Sequence, residues 1–380
     1  MSGEHSFSCR RFLAMVYKEF VQMRRDRITF GMMVGIPLMQ LVLFGYAINS
    51  DPKHLPTAVL LGENSNFSRT LITAMENTKY FQIVEILDTQ AQGDEMLRLG
   101  QVQFVLTIPP NFSRDLAAGR RPTILLEADA TDPSATSSAL GSLKQLAGSI
   151  FNRDLTGPLA RLKPGAPPVD LRVHARYNPE AITQNNIVPG LMGVILTMTL
   201  VVITSLAITR ERERGTMENL LCTPVRPVEV LVGKIIPYIL VGYIQMTLII
   251  VAAKFLFQVP IQGSVTLLYL VSLPFIVANL GVGITFSTIA KNQLQAVQMS
   301  FFFFLPSLLL SGFMFPFRGM PQWAQYVGSV LPLTHFLRIV RGIVLKGNGL
   351  VDIAPELWPL ALFLIVSMGI GILRYRQTLD

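Results

Sequence analysis

Charge is scarce in this chain. Asp, Glu, Lys and Arg together make up 15% of its 380 residues, where soluble domains carry about 25%. The shortfall is concentrated in long apolar runs, which excludes a single soluble globular fold. Cysteine is nearly absent too. Cys9 and Cys222 are the only two, too few and too far apart for a zinc site or a disulfide framework. Both fall on the side that the charge pattern makes cytoplasmic, where thiols stay reduced. No phosphate-binding loop of the form GxxxxGK[ST] occurs. Gly233-Lys234 leads straight into Ile235 and an apolar run, so this sequence holds no site for hydrolysing ATP. Histidine is rare: His5 lies in the N-terminal tail and His54 and His174 in the polar insert, and no Ser/His/Asp order is compelling. The net charge of +8 comes without any nucleic-acid-binding motif, and its basic residues sit beside apolar runs. Nucleic acid is therefore not expected as a partner.

What is present is a set of apolar runs. Six of them, residues 28–48, 187–209, 235–257, 265–290, 299–317 and 357–373, each approach the roughly 20 residues that a helix needs to cross a bilayer. The mean hydropathy of +0.46 agrees. The expected fold is a polytopic α-helical membrane protein with six transmembrane helices. Pro37, Pro237, Pro274 and Pro306 lie in or at the edge of these runs, where neighbouring helices can satisfy the carbonyls that proline frees. None of the six runs contains Asp or Glu. That argues against an ion-coupled carrier, which needs intramembrane ionisable groups. Lys254 is the one charge inside a run. It either snorkels to the outer interface or meets an anionic substrate.

Orientation follows from Lys and Arg in the short segments. Arg10, Arg11, Lys18, Arg24, Arg25 and Arg27 precede the first run, and Arg210, Arg212, Arg214, Arg226 and Lys234 follow the second. Lys291 follows the fourth, and Arg374 and Arg376 stand in the tail at 374–380, whereas the link after the third run, Gln258 to Ser264, has no charge. Both termini are expected to be cytoplasmic. Residues 1–27 read as a basic amphipathic helix with Phe12, Met15, Val16, Phe20 and Met23 on one face, lying in the interface. It is either an ordinary juxtamembrane anchor or an elbow that also touches a partner. The segment 318–355 should be external, yet it carries His335, Arg338 and Arg341 at three-residue steps. The expectation is a re-entrant amphipathic helix whose basic stripe faces lipid headgroups, serving as a surface helix or an external gate.

Residues 49–186 alternate strand-like and helix-like patterns. Ala58–Leu61, Phe81–Leu87, Val102–Ile108, Thr123–Ala128 and Val169–Tyr177 read as strands. Ser65–Thr78, Thr89–Leu99, Asn111–Ala118 and Pro133–Leu155 read as helices, and Thr156–Pro168 as a Gly- and Pro-rich loop. The alternation implies an α/β extracytoplasmic domain with a mixed or parallel sheet, inserted between helices 1 and 2.

The link 210–234, RERERGTMENLLCTPVRPVEVLVGK, is a charged, helix-forming segment tethered between two runs. It suits a grip by a soluble partner, or it is a solvated cluster that only fixes topology. Together with YNPE at Tyr177–Glu180, IVPG at Ile187–Gly190 and PLTHFLRIVRGIVLKG at Pro332–Gly347, it resembles the membrane subunits of ABC-2 type transporters. The resemblance is to the bacterial export subgroup with a large external domain and to paired multidrug-efflux permeases, and it covers nearly the whole chain. It implies a half-transporter, not itself an enzyme, in which two six-span permeases, identical or paralogous, pair above two ABC ATPase subunits. This chain would bind no cofactor; ATP and Mg would sit on the ATPase. Coupling contacts would fall on Glu211, Glu213, Arg214, Gly215, Thr216, Glu218, Leu221, Arg226 and Pro227, with Lys18 and Glu19 as a second contact. The domain 49–186 would face the periplasm, where an adaptor protein is a candidate partner. Export of drugs or other amphiphiles across the inner membrane is the implied function. Export of a lipid-linked or polymeric envelope component, and a receptor or anchor with a periplasmic ligand-binding domain, remain alternatives.

Overall fold

Strand and helix alternate from Leu55 to Arg176 because the apolar residues do. In the computed structural model, which describes residues 52–131, 133–148, 150–151, 168–180, 182–213 and 227–377, five strands form one sheet. They are β1 (Leu55–Leu61), β2 (Phe81–Leu87), β3 (Phe104–Ile108), β4 (Thr123–Asp129) and β5 (Asp170–Arg176), in the order β2-β1-β3-β4-β5. Only the β3–β4 pair is antiparallel, so the sheet is mixed. Each strand alternates its side chains between the two faces. Leu55, Val59, Phe104 and Leu106 build one core with Leu71, Met75 and Phe112, while Ala58 and Val105 join Leu87 and Leu97 on the other. Helices α1 (Asn66–Asn77), α3 (Phe112–Ala117) and α4 (Pro133–Ala147) cover the first face, and α2 (Gln90–Arg98) covers the second. Ser65 with Ser68, and Thr89 with Gln92, form reciprocal caps that fix where α1 and α2 begin.

Five long helices follow: α5 (Thr183–Glu213), α6 (Pro227–Phe255), α7 (Val265–Ile289), α8 (Gln293–Leu310) and α11 (Leu350–Gln377). Each contains a segment long and apolar enough to cross a membrane. The shorter α9 (Gln322–Val330) and α10 (Pro332–Lys346) meet at 83° and pass that test only as one bent pair. The span expected at 28–48 lies outside the described residues, as do the N-terminal helix with Lys18 and Glu19, both cysteines, and the link residues Arg214, Gly215, Thr216, Glu218, Leu221 and Arg226.

Helix α7 is the centre of the bundle. Leu268, Phe275, Ile276 and Leu280 on it are buried, and the small residues on its flanks let two neighbours come close. A Cβ on Gly283 would lie 2.8 Å from Thr204 Cβ of α5, and one on Gly281 would lie 2.9 Å from Ser367 Oγ of α11. Phe275 stacks on Phe336 of α10 at 3.9 Å, the rings within 3° of parallel. Helix α10 is thus packed into the bundle rather than laid on its surface. Along α6, Ile236, Leu240, Ile244, Leu248, Val251 and Phe255 are exposed at three- to four-residue steps, the face of a helix built for hydrocarbon.

Four helix boundaries, on three helices, show why the sequence reading and the structure part. Helix α8 begins at Gln293, capped by Asn292, whose side chain accepts from Gln295 N. It ends at Leu310 instead of running to residue 317, because the chain turns at Gly312 with φ +85°, a conformation that glycine reaches freely. Helix α11 begins at Leu350, seven residues before the expected start at 357, and so carries Asp352 and Glu356 within the last helix. The helix expected over Pro133–Leu155 ends at Ala147.

Candidate functional site at the domain junction

The α/β unit meets the helix bundle at one end, and the contact is ionic. Asp129 closes β4 with its side chain turned to the bundle. One carboxylate oxygen accepts from Thr131 N at 3.1 Å and Thr131 Oγ1 at 2.7 Å, and the other accepts from Lys346 Nζ at 2.5 Å. Both side chains of the Lys346–Asp129 pair are under a tenth exposed. Lys346 stands at the C-terminal turn of α10 and also donates to Leu97 O at 3.1 Å. Its Nζ lies 5.2 Å from the centre of the Tyr177 ring, within cation–π range.

A second pair lies alongside. Arg98, the last residue of α2, donates to Asp352 near the start of α11, with Nη2 to Oδ1 at 2.9 Å, and to Glu95 at 2.7 Å. These bonds, Glu95 first and Asp352 next, hold the Arg98 guanidinium protonated more firmly than usual. Asp352 also accepts from Gly349 N at 2.8 Å, which fixes the start of α11. Arg318 donates to Gly100 O at 2.7 Å. The α/β unit is therefore tied to α10, to α11 and to the turn before α9.

The stripe on α10 is only partly turned outward. His335 is buried, with one ring nitrogen 2.5 Å from Glu356 Oε2 and the other 2.7 Å from Ser329 O. Arg338 pairs with Glu356 at 3.1 Å and lies over the Phe317 ring at 4.7 Å. Arg341 donates to Gly312 O at 3.2 Å. Of the three only Arg338 is exposed. This corrects the expected outward stripe at His335 and Arg341, while Arg338 stays exposed. The periodicity is right, but a carboxylate on a neighbouring helix draws the basic face inward, because a charge leaving water needs a partner.

Two segments that carried the resemblance meet here. Tyr177 and Asn178 of YNPE form the joint between β5 and α5. Tyr177 has φ +68°, uncommon for a non-glycine residue. Asn178 is buried and bridges the first turn of α5, accepting from Ile182 N and donating to Ile182 O, both at 3.0 Å. From the other side, Lys346 of PLTHFLRIVRGIVLKG reaches the Tyr177 ring. Between the two units lies a cleft of about 280 Å³ whose walls include Arg98, Arg318, Arg338, Arg341 and Lys346. Arg98, Asp129, Arg318 and Asp352 are junction residues that the sequence reading did not single out. Their pairing joins positions more than 200 apart in the chain, which no local pattern reveals.

The opposite end of the bundle carries the residues expected to couple. Glu211 and Glu213 lie in the last turn of α5, and Pro227 is the first residue of α6, so the undescribed link 214–226 joins two neighbouring helix ends. Glu213 is exposed. It accepts from Gln293 N at 2.8 Å and Gln293 Nε2 at 2.5 Å, which ties α5 to the start of α8. Those bonds hold its carboxyl below the ordinary range. Among the described residues no group of three or more His, Cys, Asp or Glu could hold a metal ion.

Long apolar helices, a bent pair beside them and an α/β unit tied to one end define the class as a multi-pass helical membrane protein. The comparisons make this specific. Residues 27–373 match the model of the ABC-2 family transporter protein, and the chain belongs to that family. It is 30% identical over 381 residues to the Escherichia coli protein named "Probable multidrug ABC transporter permease YbhS", with 98% of each chain covered. It is 31% identical over 332 residues to the Escherichia coli "Inner membrane transport permease YhhJ", covering 85% of this chain and 86% of that one. It is also 24% identical over 346 residues to "ABC transporter G family member 20" of Dictyostelium discoideum, of which the match covers 46%.

Proposed function

We propose that this chain is the membrane subunit of an ATP-driven exporter that moves drugs or other amphiphilic compounds outward across a bacterial inner membrane. The carrying observation is the match of residues 27–373 to the ABC-2 family, with relatives named as multidrug permeases along their full length. On this reading the link end of the bundle is cytoplasmic. Arg210, Lys291 and Arg374 stand there, as the charge rule requires. The junction end, with the α/β unit, is periplasmic. Energy enters where an ABC ATPase grips the link through Arg214, Gly215, Thr216, Glu218 and Leu221, flanked by Glu211, Glu213, Arg226 and Pro227. Lys18 and Glu19 of the N-terminal helix add a second contact. ATP and Mg are held by the ATPase. A second permease, identical or paralogous, completes the pathway, and the α/β unit presents its outer surface to that permease or to an adaptor protein. His335, Arg338 and Arg341 brace the external mouth by tying α10 to α11 and to the turn at Gly312, and any gating acts through those ties.

The test is purification with the ATPase and measurement of substrate-stimulated ATP hydrolysis. Arg214→Ala combined with Glu218→Ala is expected to remove the stimulation while leaving membrane insertion and basal hydrolysis intact. Stimulation equal to the unmodified complex would contradict the coupling role.

A further inference from the structure

Arg318 is in an unfavourable position as the cleft stands. It is half-buried in the turn Phe317–Gly319, and its guanidinium donates to a neutral acceptor, Gly100 O. Among the described residues no carboxylate lies within ion-pair distance of it, whereas Arg98, Lys346 and Arg338 each have one. Burial first, and then the like charge of Arg338, pulls its pKa below the usual arginine range. A partly desolvated cation beside a second cation, with only a carbonyl to donate to, calls for an anion. The cleft as a whole has the same bias: five cations line it against the three carboxylates Asp129, Asp352 and Glu356.

Size and position narrow the anion. About 280 Å³ is below the range of pockets that enclose whole drug-sized ligands, but it is ample for a phosphate and its ester substituent. Exposed aromatics also stand on α9 and α11, the helices on either side of α10. Trp323, Tyr326 and Trp358 are all exposed, and the two tryptophans are the only ones in the chain. Exposed Trp and Tyr mark the headgroup level of a bilayer. Trp358 stands two residues beyond the cleft residue Glu356, and α9 carries the other two.

We infer that this cleft binds the phosphate of an anionic phospholipid headgroup, with Arg318 as its innermost ligand and Arg338 at its mouth. The site is distinct from the coupling link, and the inference rests on the proposed function only in placing this end of the bundle at a membrane surface. A headgroup held there would bridge α10, α11 and the α/β unit, so that lipid composition would set how firmly the external unit is seated.

The test uses the full chain in non-ionic detergent and native mass spectrometry with dioctanoyl phosphatidylglycerol, with the chain-matched phosphatidylcholine as reference. The unmodified protein is expected to retain the anionic lipid and to hold phosphatidylcholine much more weakly. Arg318→Gln is expected to weaken the anionic lipid about tenfold, the loss of one charge-assisted contact. Arg120→Gln, on an exposed loop away from the cleft, should leave it unchanged. Should Arg318→Gln fail to fold, Arg338→Gln at the more exposed guanidinium carries the test, with a several-fold loss expected. Competition by inorganic phosphate would support recognition of an uncompensated phosphate anion, which phosphatidylcholine, with its choline cation, does not offer. Retained lipid without such competition would support the headgroup in its lipid setting. Equal binding of the two lipids, or unchanged phosphatidylglycerol affinity in both arginine variants, would overturn the inference. Neither readout involves ATP or transport, so its failure is separable from failure of the export reading.

Discussion

Replacing Lys346 with methionine removes the cation that joins the α/β unit to the bundle. Asp129 would then remain as a carboxylate only 6% exposed, still bonded to Thr131 on one oxygen and lacking a partner on the other. Breaking a buried pair from one side costs about 3–5 kcal/mol, and the surviving Thr131 bonds place this case near the lower figure. For a unit of this size, about 3 kcal/mol corresponds to a drop in Tm on the order of 10 °C. Asp129→Asn alone strands the ammonium, which keeps its bond to Leu97 O, and a similar loss of about 2–3 kcal/mol is expected. The double variant Lys346→Met/Asp129→Asn removes both charges and leaves a near-neutral contact. Its destabilisation should fall short of the sum of the singles by about 2 kcal/mol or more. Thermal unfolding of all four proteins in the same detergent, followed by tryptophan fluorescence and by proteolysis of the α/β unit, closes the cycle. A coupling below about 0.5 kcal/mol would refute the reasoning, because a pair in contact away from water cannot act independently.

Further expectations are simpler to check. Gly283→Ala would place a Cβ 2.8 Å from Thr204 Cβ and 2.9 Å from Val201 O, so a loss of about 1–3 kcal/mol is expected. Gly141→Ala on α4 meets open space and should stabilise by up to about 1 kcal/mol; thermal midpoints of the two variants must move in opposite directions. His335→Ala removes the partner of Ser329 O and one of the two side-chain partners of Glu356, for which about 1–2 kcal/mol of destabilisation is expected. A cysteine at the exposed Arg338 position should react with a membrane-impermeant thiol reagent added outside intact spheroplasts; labelling only after lysis would reverse the assigned orientation.

Much of this architecture is legible in the sequence because burial in hydrocarbon leaves a plain mark. The runs at 187–209, 235–257 and 265–290 lie on α5, α6 and α7, and the five strands fall within three residues of their expected limits. The failures have specific causes. Hydropathy sets a helix end where apolar residues stop, but α8 starts in the polar stretch Asn292–Gln295, because a capping side chain begins it. Asp352 and Glu356 precede the apolar run at 357–373, yet Arg98, His335 and Arg338 bond them in place and let α11 start before them. Likewise, a three-residue spacing identifies one face of α10 without saying what that face meets. The junction is readable only once β4 and α10 are brought together, since its two ion pairs join residues far apart in the chain.

The central claim is that this chain conducts, and that a separate ATPase drives it from the link between α5 and α6. The most direct measurement is uptake of a fluorescent amphiphile into sealed inside-out proteoliposomes, comparing the permease alone with the permease joined to its ATPase and ATP. The account predicts accumulation against a gradient only in the joined system, abolished by Arg214→Ala with Glu218→Ala. Accumulation by the permease alone, or undiminished accumulation with the altered link, would contradict it.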